Sequence, residues 1–128
     1  MQHHPKHPKS ERPSRPVHRG RVGRHRGTRA PRLSPQRGIC AFAPGARTAW
    51  HSHAVGQTLY IAEGEGLVQA RGEAVVALRA GEVVSAPAGE LHWHGAAPDH
   101  FMTHLAVSEG DPTCGEHLTD TEYHSAGQ

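Results

Sequence analysis

The 128 residues, 35% of them hydrophobic and with a mean hydropathy of −0.64, suffice for one domain of ordinary size but not for two independent cores. No apolar run approaches the roughly 18 residues of a membrane-spanning helix, and the first residues lack the apolar stretch of a signal peptide, so a soluble, cytoplasmic protein is expected. The formal charge of +2 conceals a split: residues 1–38 hold 11 of the 14 Lys/Arg and one acid, Glu11, for +10, whereas the other 90 residues set three Lys/Arg against eleven acids, for −8.

Residues 1–38 contain six prolines, and Val17, Val22 and Leu33 are their only large aliphatic side chains after Met1. Such a segment cannot offset its ordering entropy by burial, so it reads as a disordered basic tail. Charge blocks of this kind are usually solvated. A translation start set upstream in a GC-rich gene gives the same composition, and the alternative is an arm that contacts nucleic acid by releasing counterions. His3, His4 and His7 cluster there without a framework that would preorganise a metal site.

From residue 39 onward the chain breaks into short β-like runs at 39–43, 48–53, 57–63, 66–71, 73–78, 82–86, 91–95 and 100–107. Turn signals separate them at Pro44-Gly45, Gly64, Gly72, Ala80-Gly81, Pro87 with Gly89, and Pro98-Asp99. Short strands with frequent turns predict an all-β sandwich or barrel spanning residues 39–128, where all six aromatic residues lie. Near the end, Thr119 followed by Glu122 has the spacing of a capping box and predicts one helical turn. Cys40 and Cys114 lack CxxC spacing, so they indicate neither a disulfide framework nor a cysteine zinc site and read as buried or idle thiols.

Eight histidines follow residue 38. His51 and His53 are two apart, as are His92 and His94, and residues two apart on a strand share a face. With His104 on the last long run, five imidazoles can converge on one interior, walled by Leu59, Ile61 and Met102. Imidazole is the commonest metal ligand, so a metal pocket is expected. His100, His117 and His124 have no spaced partner and read as surface residues.

These residues carry a family resemblance. Residues 45–64 fit the first cupin motif, G(x5)HxH(x3)E(x6)G, with Gly45, His51, His53 and Gly64 in place and Gln57 where Glu is usual. Residues 81–96 fit the second, with Gly81, Pro87, Gly89 and His92 in place and Ala96 where Asn often stands. The sequence thus resembles the small bacterial cupins, which implies a single-domain jelly-roll β-barrel. The strings GARTAWHSHAVGQTL, PAGELHWHGAAP, MTHLAV and LTDTEY are further similar to those of manganese-dependent cupin hydroxynitrile lyases and their relatives.

That closer resemblance implies His51, His53, Gln57 and His92 as ligands of a divalent ion, Mn²⁺ first, with Fe²⁺, Ni²⁺, Co²⁺ or Zn²⁺ as alternatives. It implies His104 as general base, with His94 and Thr48 as the groups that steady developing cyanide. With Gln in place of Glu the ligand set carries no negative charge, which favours Lewis-acid chemistry over iron oxidation. The implied reaction is cleavage of a cyanohydrin, a small-molecule substrate, to an aldehyde and cyanide. Two alternatives stand beside it: an Fe²⁺-dependent cupin oxygenase or isomerase on the same ligands, and a non-catalytic module that binds a small ligand or metal. A barrel of this size with open edges is expected to form a homodimer.

Overall fold

A computed structural model describes residues 1–5 and 36–126. Among the described residues are nine strands: β1 (Gln2–His4), β2 (Gln36–Phe42), β3 (His51–His53), β4 (Gly56–Ala70), β5 (Val76–Arg79), β6 (Val83–Pro87), β7 (His92–Ala96), β8 (Met102–Glu109) and β9 (Pro112–Cys114). One helix, α1 (Asp120–Ala126), follows. All pairings are antiparallel. The predicted all-β class is observed, and its topology is that of a jelly roll built on one shared strand.

That strand is β4. Its first half pairs with β6 and β8, and its second half pairs with β5 and β7. One sheet therefore runs β1-β6-β4-β8-β2 and the other β5-β4-β7-β3-β9. The strand order leaves free edges, so the sheet is not closed into a continuous barrel as the word implies.

The sequence reading divides β4 into two runs at Gly64, and the structure corrects this. The chain bends there without reversing: the β4–β8 register shifts between Ile61 and Glu63, and Gly64 sits at φ 80°. A Cβ on Gly64 would lie 1.9 Å from the carbonyl oxygen of Phe101, so only glycine lets the two backbones approach. A bend signal and a turn signal look alike in sequence.

The boundary at residue 38 also shifts. Gln36–Gly38 open β2 opposite Ala106–Ser108, and Gln2–His4 pair with Val83–Ser85 of β6. Main-chain pairing needs no apolar side chain, which is why a polar segment can add strands. Met1 packs against the core, its ammonium 3.0 Å from Glu90, and His3 lies 3.0 Å from Glu82. Residues 6–35, with His7 and most of the basic charge, lie outside the described residues, and so does the nucleic-acid reading of that segment.

Two apolar clusters hold the fold. Leu59, Ile61, Val68, Leu78, Val84, Ala96 and Met102 fill the space between the sheets. Trp50, Leu67, Trp93, Leu118 and Tyr123 form a second cluster. Each large side chain so buried contributes about 1.5–3 kcal/mol.

The second cluster explains why every residue of β7 is buried. His92, His94 and Ala96 alternate with Trp93 and Gly95, and Trp93 packs with Leu118 and Tyr123 of the C-terminal segment. The Tyr123 hydroxyl donates to the Ala96 carbonyl at 2.7 Å, and Trp93 Nε1–H donates to Gln69 at 2.9 Å. Arg47 lies over the Tyr123 ring and pairs with Asp120. The capping box is present: Glu122 accepts from the Thr119 N–H at 2.9 Å, and Thr119 Oγ1 accepts from the Glu122 N–H at 3.2 Å. Among the described residues no helix is long and apolar enough to cross a membrane.

Candidate metal centre

Strand β3 is three residues long, and its burial alternates: His51 and His53 are buried while Ser52 is half-buried. A turn of two residues leads into β4, where Gln57 is the first buried side chain. His92 opens β7 directly opposite His51. Short strands joined in register thus bring three imidazoles and one amide together from positions far apart in the chain.

The candidate ligand atoms of His51, His53 and His92 lie within 4.8 Å of one another. Gln57 Oε1 lies 3.1 Å from His92 Nε2. The ring orientations are set by the backbone. His51 Nδ1 lies 2.8 Å from the Ala49 carbonyl and His92 Nδ1 lies 3.0 Å from the Glu90 carbonyl. A carbonyl only accepts, so each Nδ1 carries the proton and each Nε2 keeps its lone pair for the interior.

This orientation tests whether the residues suit a cation. With its proton on Nδ1, neutral His92 presents an acceptor to Gln57 Oε1, itself an acceptor, at hydrogen-bond distance. Both nitrogens of His53 are buried and without a hydrogen-bond partner among the described residues. Converging lone pairs without donors are costly in a dry interior unless a positive charge lies among them. The three-histidine cluster therefore fits a divalent metal ion, and three neutral nitrogens with one neutral oxygen would leave its full charge uncompensated.

Burial holds His53, His92, His94 and His104 below the ordinary imidazole value, which favours their neutral forms. Burial pushes His92 down to about 4, aided by the neighbouring His51 and His53 against the opposing bond to Glu90. Burial and the nearby His51 lower His53, although Gln57 opposes this. His94 is driven well below its ordinary value, first by burial and then by His104 and the other histidines. Burial also lowers His104.

His94 and His104 lie beside the cluster. His94 shares the inward face of β7 with His92, and His104 points inward from β8 between Met102 and Ala106. Their ring centroids are 4.9 Å apart, and His94 lies 5.2 Å from His51. His94 Nδ1 and both nitrogens of His104 have no hydrogen-bond partner among the described residues. Thr48 Oγ1 accepts from the His94 backbone N–H at 3.2 Å, leaving its own proton free to donate.

All these groups except His92 line a cavity of about 280 Å³ whose remaining wall is mostly apolar, including Phe42 and Ala106. Phe42 meets the His94 ring edge-on at 5.9 Å and the His104 ring at 5.3 Å. A larger cleft of about 530 Å³ lies beyond Gln57 toward Ser85 and Glu109, and none of the five clustered histidines lines it. The smaller cavity is where a reacting molecule would meet the imidazoles.

The structure thus brings together all seven residues singled out from the sequence: His51, His53, Gln57, His92, His94, His104 and Thr48. His100, His117 and His124 are exposed, as their isolated spacing suggests. Phe42 was missed, because an isolated aromatic next to a Pro-Gly turn carries no signal of its own. For the cysteines, read as buried or idle thiols, the structure overturns the buried alternative. Both are exposed and free, and both line the cavity.

Comparison with known proteins agrees with this architecture. The family model described as the cupin domain matches residues 38–108. An (R)-mandelonitrile lyase from Granulicella tundricola is 51% identical over 86 residues, covering 64% of this chain and 66% of that protein, slightly less than two thirds of its length. Among solved structures, a cupin-like protein from Thermotoga maritima superposes with a TM-score of 0.72 at 39% identity, covering 74% of each chain. A DMSP lyase from Ruegeria pomeroyi, at 22% identity and a TM-score of 0.57 over 63% of this chain and 43% of its own, shares the fold alone. Two strand-borne histidine pairs on a jelly roll, and a family match over more than half the chain, lead to one conclusion: the protein belongs to the cupin domain family.

Proposed function

We propose that this cupin is a metal-dependent lyase that cleaves a cyanohydrin into an aldehyde and cyanide, with Mn²⁺ as its ion. The observation that carries the reading is the three-histidine cluster set beside two further buried imidazoles, His94 and His104, of which His94 Nδ1 and both His104 nitrogens have no partner among the described residues; all of these histidines but His92 line one cavity. The similarity to a protein named (R)-mandelonitrile lyase supports the choice of reaction.

In this reading His51, His53, Gln57 and His92 hold the ion. When bound, it supplies Lewis acidity toward a substrate hydroxyl. His104 takes the hydroxyl proton on a free ring nitrogen. Its neutrality in the buried site makes it a base instead of a spent acid. As the carbon–carbon bond breaks, its electron pair leaves on cyanide, and the Thr48 O–H donates toward the developing charge. His94, between His104 and His51, is the second polar contact for that anion. The apolar wall around Phe42 excludes water, which strengthens each of these interactions.

The same reading includes a homodimer. Ile39, Leu105 and Tyr60 stand opposite one another across β2, β8 and β4, and all three are exposed. Together they make an apolar row beside a free strand edge, which suits a second copy of the chain.

The deciding experiment loads the protein with Mn²⁺ and measures cyanide released from mandelonitrile. Release that follows metal content is expected. Oxygen uptake without cyanide release would overturn the reaction, and a protein that retains no divalent ion after loading would overturn the centre itself.

A further inference from the structure

Cys40 and Cys114 lie in different sheets yet line the same cavity. Cys40, on the edge strand β2, is the direct cross-strand partner of His104 on β8. Cys114, on the edge strand β9, is the direct partner of His51 on β3. Both thiols are free and exposed. The imidazoles behind them are not: His104 is 1% exposed and His94 4%, each with unpartnered nitrogen facing the cavity. Thus each sheet places one accessible thiol next to the buried cluster.

We propose that these two thiols are a modification site that gates the cavity, and that the modifying molecule is a low-molecular-weight disulfide such as oxidised glutathione. The cysteine thiolate attacks one sulfur of the disulfide, its own proton having gone to water. A mixed disulfide forms, and the other half leaves as a thiolate, so the exchange needs no further oxidant. The product is a reversible cap. Size makes it a gate: the cavity, at about 280 Å³, lies at or below the range of about 300–1,000 Å³ that accommodates a drug-sized molecule, so a tripeptide on either sulfur covers its mouth. Reduction by a dithiol reopens it. The proposal rests on the cavity and not on the lyase reading or the ion.

The test uses the full-length protein and a readout independent of activity. Oxidised glutathione is added at pH about 8.5, where ordinary free thiols are half ionised, and adducts are mapped by peptide mass spectrometry. Diethyl pyrocarbonate, which acylates imidazole nitrogen, then probes the cavity, with exposed His100 and His124 as internal references. The expected result is an adduct on Cys40, Cys114 or both, and a several-fold slower acylation of His94 and His104 at unchanged reference rates. Dithiothreitol restores the rate, and the Cys40→Ser, Cys114→Ser double variant shows no glutathione effect. If that variant is unstable, the reversal in the unaltered chain carries the test. Failure of both cysteines to form an adduct would overturn the proposal. So would adducts that leave acylation of His94 and His104 unchanged, or imidazoles that resist acylation before any treatment.

Discussion

His94 and His104 face each other across the interior, ring centroids 4.9 Å apart at 77°, one from β7 and one from β8, and neither reaches the other with a hydrogen bond. Two sheets are needed to create this meeting. It sets a buried imidazole beside the three-histidine cluster that could hold a metal, and the proposed mechanism makes that imidazole the base and not a ligand.

Removing His104 should therefore separate chemistry from metal binding. For His104→Gln, cyanide release should fall about 10²-fold or more, the usual contribution of a positioned general base. Metal content, read by elemental analysis, should stay at the level of the unaltered protein. A parallel loss of metal would make His104 a ligand and refute its role as base.

On the proposed ligand set, Gln57 decides the charge of the centre. Gln57→Glu adds an anion to that set and should tighten metal binding in a competition titration while lowering the acidity that the ion imparts to a bound hydroxyl. His51→Ala should weaken metal binding instead. Chelation of the unaltered protein should lower its melting temperature, since an ion at a hundred times its Kd stabilises the native state by about 2.7 kcal/mol. Equal melting curves with and without chelator would contradict the assignment.

Acid should destabilise the fold before most carboxylates titrate. His92 stays neutral in the native state down to about pH 4, whereas in the unfolded chain it binds a proton near 6.5. Between those values the unfolded state holds the extra proton, so this contribution is fully present above about 6.5 and is lost as the pH falls toward 4. His53, His94 and His104 are lowered in the same direction and add the same sign. Denaturant melts of the metal-free protein between pH 8 and 4.5 should show a steadily falling midpoint, and a flat profile down to pH 5 would exclude buried neutral imidazoles.

The second core should be felt at the site it backs. Tyr123→Phe removes the hydroxyl that donates to the buried Ala96 carbonyl and should cost about 0.5–1.5 kcal/mol in chemical unfolding. Leu118→Ala should cost more, about 2–5 kcal/mol, because it opens a cavity against Trp93. If both variants unfold like the parent, the C-terminal segment does not support β7.

The exposed row of Ile39, Leu105 and Tyr60 predicts self-association. Sedimentation should give a dimer at micromolar concentration, and Leu105→Lys, which sets a charge in the middle of the row, should give a monomer with unchanged secondary structure. A monomeric parent protein would overturn this expectation.

The strand alternation and the two histidine pairs were legible from order alone, because a strand has a period of two and His51 with His53, or His92 with His94, must share a face wherever the strand goes. Short β-like runs between Gly and Pro signals carried the β class and the turns other than Gly64, and the Thr119–Glu122 spacing carried the capping box, for the same local reason. Nothing local distinguishes the bend at Gly64 from a reversal: that depends on the carbonyl of Phe101 arriving within contact distance. Nor does composition show that polar Gln2–His4 adds a strand, since backbone pairing is indifferent to side-chain polarity. The neighbours of Cys40 and Cys114, the contact of Phe42 with both His94 and His104, and the packing of Trp93 against Leu118 and Tyr123 all join residues far apart in the chain. Such contacts are decided only when β4 bends and the two sheets close over a common interior, for burial, and with it the lowered proton affinity of His53, His92, His94 and His104, is a property of the folded assembly.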